Sequence, residues 1–287
     1  MSRVPCVVIA ALIVCGIVRL EAQRGNPQPP RTPRAAAPID LSGYWVSIVT
    51  QDWRWRMVTP AKGDYQGIQM TPEARKIADA WDPARDEAAG EQCRSYGAPA
   101  LMSVPGRLHI TWQDDTTLKV DADAGMQTRL LRFALPQGQG APSPSRGGNA
   151  QTPVDSARDK PADASRTWQG VSEAQWLTAR PNVPLQLRPA DRTADAPPLR
   201  PTGGSLRVVT RNLRAGYLRK NGVPYSEDAV LTEHWDLYKR PNGEEWLTIT
   251  TQVDDPRYLS NVRLIAPVFK REPNGSKWDP TPCSARW

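Results

Sequence analysis

Histidine and phenylalanine are nearly missing from this chain, with two of each in 287 residues. Two histidines cannot build a three-His metal centre, or a two-His zinc site with another His partner. The motifs Gly-x-Ser-x-Gly, His-Glu-x-x-His, a Walker loop and a dinucleotide glycine fingerprint are absent as well, which removes the common signatures of hydrolases, metalloproteases and nucleotide enzymes. Cysteine is also sparse. Of the four, Cys6 and Cys15 fall in an N-terminal apolar run, leaving Cys93 and Cys283. These two have no Cys-x-x-Cys spacing and no His pair nearby, so a disulfide in an oxidising compartment is expected rather than a metal site. Closing a loop of about 190 residues stabilises the folded state by roughly 5 kcal/mol in the chain-entropy model. No metal or other cofactor is expected.

Long apolar runs and concentrated charge are lacking too. Val7 to Val18 is the principal apolar stretch, well short of the roughly 18 to 20 residues that span a bilayer. Arg3 precedes it and Leu20-Glu21-Ala22 follows as a small-residue cleavage site, so residues 1–22 read as a cleaved secretory signal. Leu12-Ile13-Val14-Cys15 approximates a lipobox, but Val14 is bulky for the position before a lipidated cysteine, so anchoring at Cys15 is the lesser reading. The formal charge of +7 is spread over many arginines rather than packed in a basic run. Arg54 and Arg56 alternate with Trp53 and Trp55, a spacing able to grip phosphates and stack bases. It equally describes a strand with a polar outer face, and an exported chain seldom meets nucleic acid. The protein is expected in the periplasm or outside the cell, with no nucleic-acid partner and no transmembrane segment.

What is present is β-sequence. Residues 23–38 are rich in Pro, Arg and Ala and read as a flexible tether, and residues 39–287 as a single β domain. Asp40 to Thr50 is expected as the first strand, with Leu41, Trp45 and Ile48 inward, and Asp52 to Val58 as a second on its Trp/Arg alternation. Thr71-Pro72-Glu73 carries a hydroxyl cap, a first-turn proline and an acid, and Ala74, Ile77, Ala78 and Trp81 make one helical face. A second short helix follows Asp82-Pro83. Arg107 to Gln113, Thr116 to Asp123 and Met126 to Leu135 read as a three-strand meander. Residues 136–166 are Gly, Pro, Ser, Gln and Asp with almost no large apolar residue, the composition of a disordered insertion. Trp168 to Leu177 reads as a short helix capped by Ser172. Strands then resume at Ser205 to Leu213, Glu227 to Lys239, Glu245 to Val253 and Asn261 to Arg271, and Asn221-Gly222 marks a hairpin. The expected class is a mainly β, antiparallel up-and-down barrel of eight to ten strands with short peripheral helices.

With Ser42-Gly43-Tyr44-Trp45 opening the first strand and a basic residue in the last, the chain resembles the lipocalin and calycin barrels. The resemblance implies that Arg271, or Lys270, packs across the ring of Trp45 as the counterpart of Gly43 and Trp45 in that signature. It also implies a cavity for one small ligand. The helices after the second strand and the insertion at 136–166 depart from that pattern. The closing stretch Lys277 to Arg286 is similar to a family of exported bacterial proteins, a likeness that implies export and a shared fold and transfers no catalytic residue.

Three groups of residues bear on chemistry. His109 and His234 alternate with apolar neighbours and point outward if those neighbours point in. Turned the other way they form an acid–base or metal pair with Asp236. Glu233 shares its face with Leu231 and Trp235, so alternation drives a carboxylate into an apolar interior where it needs a cation or donors. Tyr217, Arg219 and Arg129 are candidate partners, either closing a structural pair or leaving Glu233 as an acid/base group. Trp53, Trp55, Trp112, Trp235 and Trp246, with Glu233, are the candidate ligand-binding set. Eleven tryptophans suit an aromatic-lined pocket as well as a filled core. The leading expectation is an exported barrel that binds a small apolar or aromatic molecule. The alternatives are a cofactor-free isomerase, cyclase or hydrolase using Glu233 and a histidine (His234 or His109), and an envelope protein that holds partners through its proline-rich segments.

Overall fold

The computed structural model describes residues 31–134, 165–178 and 203–286. The expected signal at residues 1–22, the tether up to residue 30 and the insertion through residue 164 lie outside them. In chain order the strands are β1 (Gly43–Ile48), β2 (Arg107–Trp112), β3 (Thr117–Ala122), β4 (Gln127–Phe133), β5 (Val171–Thr178), β6 (Gly204–Arg211), β7 (Gly216–Tyr217), β8 (Pro224–Tyr225), β9 (Val230–Lys239), β10 (Glu245–Asp254), β11 (Arg263–Ile265) and β12 (Val268–Glu272). Nine of them close into a barrel, in the order β10-β12-β1-β2-β3-β4-β5-β6-β9 and back to β10. β11 extends β10 beyond the ring, and β7 and β8 form a separate small hairpin whose turn uses Gly222 at φ 82°.

Nine strands cannot alternate direction around a closed ring, so at least one neighbouring pair must run parallel. That pair is β4 and β5, in register from Leu131–Ser172 to Phe133–Ala174. The intervening residues 134–170 are long enough for the crossover that parallel strands require. An all-antiparallel barrel is thus corrected at one seam.

Alternation fills the interior. Trp45, Leu108, Ile110, Leu118, Val120, Leu131, Leu206, Val208, Trp235, Leu247, Ile249 and Phe269 form one buried cluster. Each such aliphatic or phenyl side chain contributes about 1.5–3 kcal/mol on leaving water. Helices α1 (Trp53–Arg56), α2 (Pro72–Asp79), α3 (Pro83–Ala88) and α4 (Ala98–Leu101), with a 3-10 turn at Gln92–Tyr96, gather at one end of the barrel. There Ala78, Ala98, Leu218 and Tyr225 pack with Leu231 and Val253 of the strands in a second cluster. α2 starts as its sequence dictates: the Thr71 hydroxyl accepts from the Ala74 amide at 3.3 Å, and Ala74 and Ala78 are buried. Cys93 and Cys283 are joined, tying the C-terminal segment to this helical end.

Between the two apolar clusters lies a polar layer. Glu233 sits between Leu231 and Trp235 on its strand, Thr210 beyond Val208, and Thr251 between Ile249 and Val253. Arg129 reaches the same layer from β4. Its Nη1 and Nη2 donate to the two carboxylate oxygens of Glu233 at 3.0 and 2.6 Å, and Nη2 also donates to the Thr210 hydroxyl at 3.2 Å.

The structure revises four further sequence expectations. Asp52 to Val58 is not a strand: Asp52 takes a left-handed conformation (φ 53°) and its carbonyl accepts from the Trp55 and Arg56 amides, starting α1. Four alternating residues are too few to separate period 2 from period 3.6. Trp168 to Leu177 is not a helix: residues 171–178 form β5, with Ser172 and Ala174 buried and Val171, Glu173 and Gln175 exposed. Two of the three inward residues, Ser172 and Ala174, are small, which weakens the alternation. The last strand is split into β11 and β12 around Pro267, which has no amide to donate. Finally, residues 31–38 pack down on the barrel rather than hang free, because the carbonyl of buried Pro33 accepts from the Trp176 indole at 2.8 Å.

Candidate functional site

The strands bring Glu233 to Arg129, one of its candidate partners, and Gly43, Trp45 and Arg271 to one another, but they do not assemble the candidate histidines or tryptophans into one site. His109 lies on the outer face, stacked on Tyr44 with ring centroids 4.1 Å apart and Trp278 edge-on at 6.0 Å. His234 pairs with Arg207 and Thr250 on neighbouring strands and also faces outward, since Glu233 and Trp235 on either side of it are the buried residues. Asp236 is exposed on that same outer side. Glu233 is held inside by Arg129, both side chains fully shielded from water, and no histidine approaches it. Arg219 and Tyr217, the other candidate partners, are engaged elsewhere, with Gln66 and Asp86. Among the described residues no group of three His, Cys, Asp or Glu is placed to hold a metal ion.

The tryptophans are dispersed as well. Trp53 is 66% exposed on α1, while Trp55 on the same turn points toward Arg219. Trp235 is wholly buried in the core. Trp246 lies outside the barrel, with Arg240 4.9 Å from its ring and its indole donating to Glu244. Trp112 packs against Phe133 and Trp176, ring centroids 5.6 and 6.4 Å away. Gly43, Trp45 and Arg271 lie together: the Arg271 guanidinium is 4.2 Å from the Trp45 ring centroid, and a Cβ on Gly43 (φ 118°) would come within 2.7 Å of its Nη1.

Open space lies at the barrel end opposite the helices and continues over the outer face of β5 and β6. Trp112 ends β2, Phe133 ends β4 and Trp176 lies near the end of β5, so three rings converge where the strands stop. Trp112 and Phe133 centroids are 5.6 Å apart and Phe133 and Trp176 5.3 Å apart, in the offset geometry aromatic quadrupoles favour. Beside them runs a groove of about 710 Å³. Phe133, Ala174, Trp176 and Val209 give it apolar walls, Pro33 and Ala36 one side, and Arg132, Glu173 and Arg207 a polar margin. Phe133 and Trp176 were not singled out from sequence. Trp176 was assigned to a helix, and Phe133 ends its strand beside a low-complexity segment, so neither carried a signal of shared location.

A second concave region lies at the helical end. Asp52, Trp55, Arg56, Ser103, Arg219, Lys220 and Arg263 line a cavity of about 30 Å³ there. The three arginines and Lys220 are each at most 8% exposed. Arg56 donates to the Ser103 carbonyl at 2.7 Å and the Ser47 hydroxyl at 3.1 Å, and Arg219 to the Gln66 carbonyl at 2.8 Å. Lys220 donates to the Tyr96 hydroxyl at 2.5 Å, and burial pulls its ammonium down to about 8. Burial lowers Arg263 too, helped by the like charges of Arg219 and Arg56.

No family model, curated protein or solved structure matches this chain. Among the described residues no helix is long and apolar enough to cross a membrane.

Proposed function

We propose that this protein is an exported, lipocalin-like barrel that binds one small apolar or aromatic molecule at its aromatic end. The observation that carries the reading is the groove of about 710 Å³ beside the Trp112–Phe133–Trp176 cluster, a volume within the range of small-molecule sites. A flat ring placed there gains contact with Trp176 and Phe133, while Arg132, Glu173 and Arg207 at the margin orient a polar substituent. The packed barrel interior directs the ligand to this end rather than to the barrel axis. A disulfide suits an oxidising compartment, as an exported protein requires. The acid–base alternative loses its geometric support, because Glu233 is neutralised by Arg129 and both histidines are outside.

Native mass spectrometry of the protein purified from its own host tests this reading. The expected species begins after Ala22, is lighter by two hydrogens for the Cys93–Cys283 bridge, and carries a bound small molecule that dissociates on activation. A chain that never carries a ligand and binds none from an extract of small apolar compounds would overturn it.

A further inference from the structure

The cavity at the helical end is built for an anion. Three guanidiniums and one ammonium surround it, and among the described residues the only carboxylate in its lining is Asp52. Among the described residues none of Arg56, Arg219 and Arg263 forms an ion pair. Their nearest acids, Asp52 and Asp64, act only at longer range, and Asp64 already pairs with Arg54 at 2.9 Å. Burying cations without counter-charge is costly, and natural folds offset that cost with a partner.

Three donors point to what the partner is. The indole nitrogen of Trp55, the hydroxyl of Ser103 and Nη1 of Arg263 are all buried, all without a hydrogen-bond partner among the described residues, and all on residues lining this one cavity. Buried donors are paired in the great majority of cases, so three around a single cavity mark an acceptor-rich ligand. The space of about 30 Å³ takes one oxygen-sized corner of a ligand. A second cavity of about 350 Å³ shares Asp52, Arg219 and Arg263 and continues past Leu264 and Asn261, room for the rest of the group and whatever it is attached to.

We propose that this cavity binds a phosphate or sulfate group, taken as the free oxyanion or as the head of a small monoester, with Arg263, Arg219, Trp55 and Ser103 as its direct donors. Guanidinium forks match the spacing of tetrahedral oxyanions, and the neutral indole and hydroxyl donors complete the shell. Arg56 acts from behind: its fork is committed to the Ser103 carbonyl and the Ser47 hydroxyl, so it fixes the Ser103 backbone and adds charge. The site stands at the opposite end from the aromatic groove and does not depend on a ligand there.

The test is calorimetric titration of the mature, disulfide-bonded protein with inorganic phosphate, sulfate and phenyl phosphate, against chloride at equal ionic strength. Saturable one-to-one binding of at least one of them is expected, weakened at least tenfold in Arg263→Gln. Phenyl phosphate binding more tightly than inorganic phosphate would assign the site to a monoester head group, and equal binding to the free oxyanion. Should Arg263→Gln fail to fold, Trp55→Phe removes a single N–H and is expected to weaken binding severalfold. No saturable binding of any of the three, or binding that is unchanged in both variants, would overturn the proposal.

Discussion

Arg129 and Glu233 meet in a two-point ion pair inside the barrel, 3.0 and 2.6 Å between nitrogens and oxygens, with both side chains fully shielded. They are brought together across the barrel from β4 and β9, 104 positions apart in sequence. The pair anchors a polar layer in which the Thr210 and Ser172 hydroxyls, 2.8 Å apart, extend the network to β6 and β5. It therefore touches both sides of the parallel seam.

Breaking the pair from one side leaves a bare buried charge. Glu233→Gln is expected to cost about 3–5 kcal/mol, read as a fall in the urea midpoint. Removing both charges with Arg129→Met and Glu233→Leu together is expected to recover most of that loss. Equal stability of Glu233→Gln and the parent would show that the pair contributes nothing.

Arg271 is a second anchor. It covers the Trp45 ring, donates to the Asp40 carbonyl at 2.7 Å, and reaches the Ser42 carbonyl and the Glu245 carboxylate. Arg271→Ala is expected to cost about 1–3 kcal/mol. Lysine restores only part of this, since a single ammonium lacks the fork that serves two carbonyls. Gly43→Ala should destabilise for a different reason, because position 43 has φ 118° and its new methyl meets the guanidinium. Urea unfolding of the three variants separates the effects; a fully stable Gly43→Ala would contradict this geometry.

Much of this architecture is legible in the sequence. The strands that alternate large apolar with polar residues, β2, β3, β9 and β10, lie where their pattern places them, as does the capped helix α2. The failures share one cause. In β5 the inward residues are Ser172, Ala174 and Trp176, so the period-2 signal is faint, and α1 is a single turn whose Trp/Arg alternation imitates a strand. Both errors concern residues beside concave surface: Trp176 belongs to the aromatic end, and Trp55 and Arg56 to the basic cavity. Arg219 reads in the sequence as a partner for Glu233 rather than as a wall of this cavity, and Arg263 gives no warning, since a solitary arginine looks like surface until tertiary packing closes over it.

Lys220 predicts a pH dependence. Burial lowers its ammonium from 10.5 to about 8, so between those values the unfolded chain holds a proton that the folded chain has released. Stability from this group is therefore gained as pH rises from about 8 toward about 10.5, and none is gained below that window. The buried phenols of Tyr96, Tyr217 and Tyr225 are raised above their ordinary value and act in the opposite sense, lowering stability above about pH 10. Melting temperature in anion-free buffer should rise between about pH 7.5 and 9.5 and then fall. Lys220→Met should abolish the rise and keep the fall. A parent that loses stability steadily from about pH 8 upward would contradict this assignment.

The measurement that bears most directly on ligand binding at the aromatic end is a fluorescence titration with N-phenyl-1-naphthylamine, a neutral aromatic probe that the basic cavity has no charge-based reason to attract. The account predicts saturable one-site binding with quenching of tryptophan emission. Trp176→Ala should weaken it about tenfold, through loss of roughly 1.4 kcal/mol of aromatic contact, while Trp246→Ala on the outer wall leaves it unchanged. A folded parent that shows no saturable binding, or a folded Trp176→Ala that binds the probe as the parent does, would contradict it.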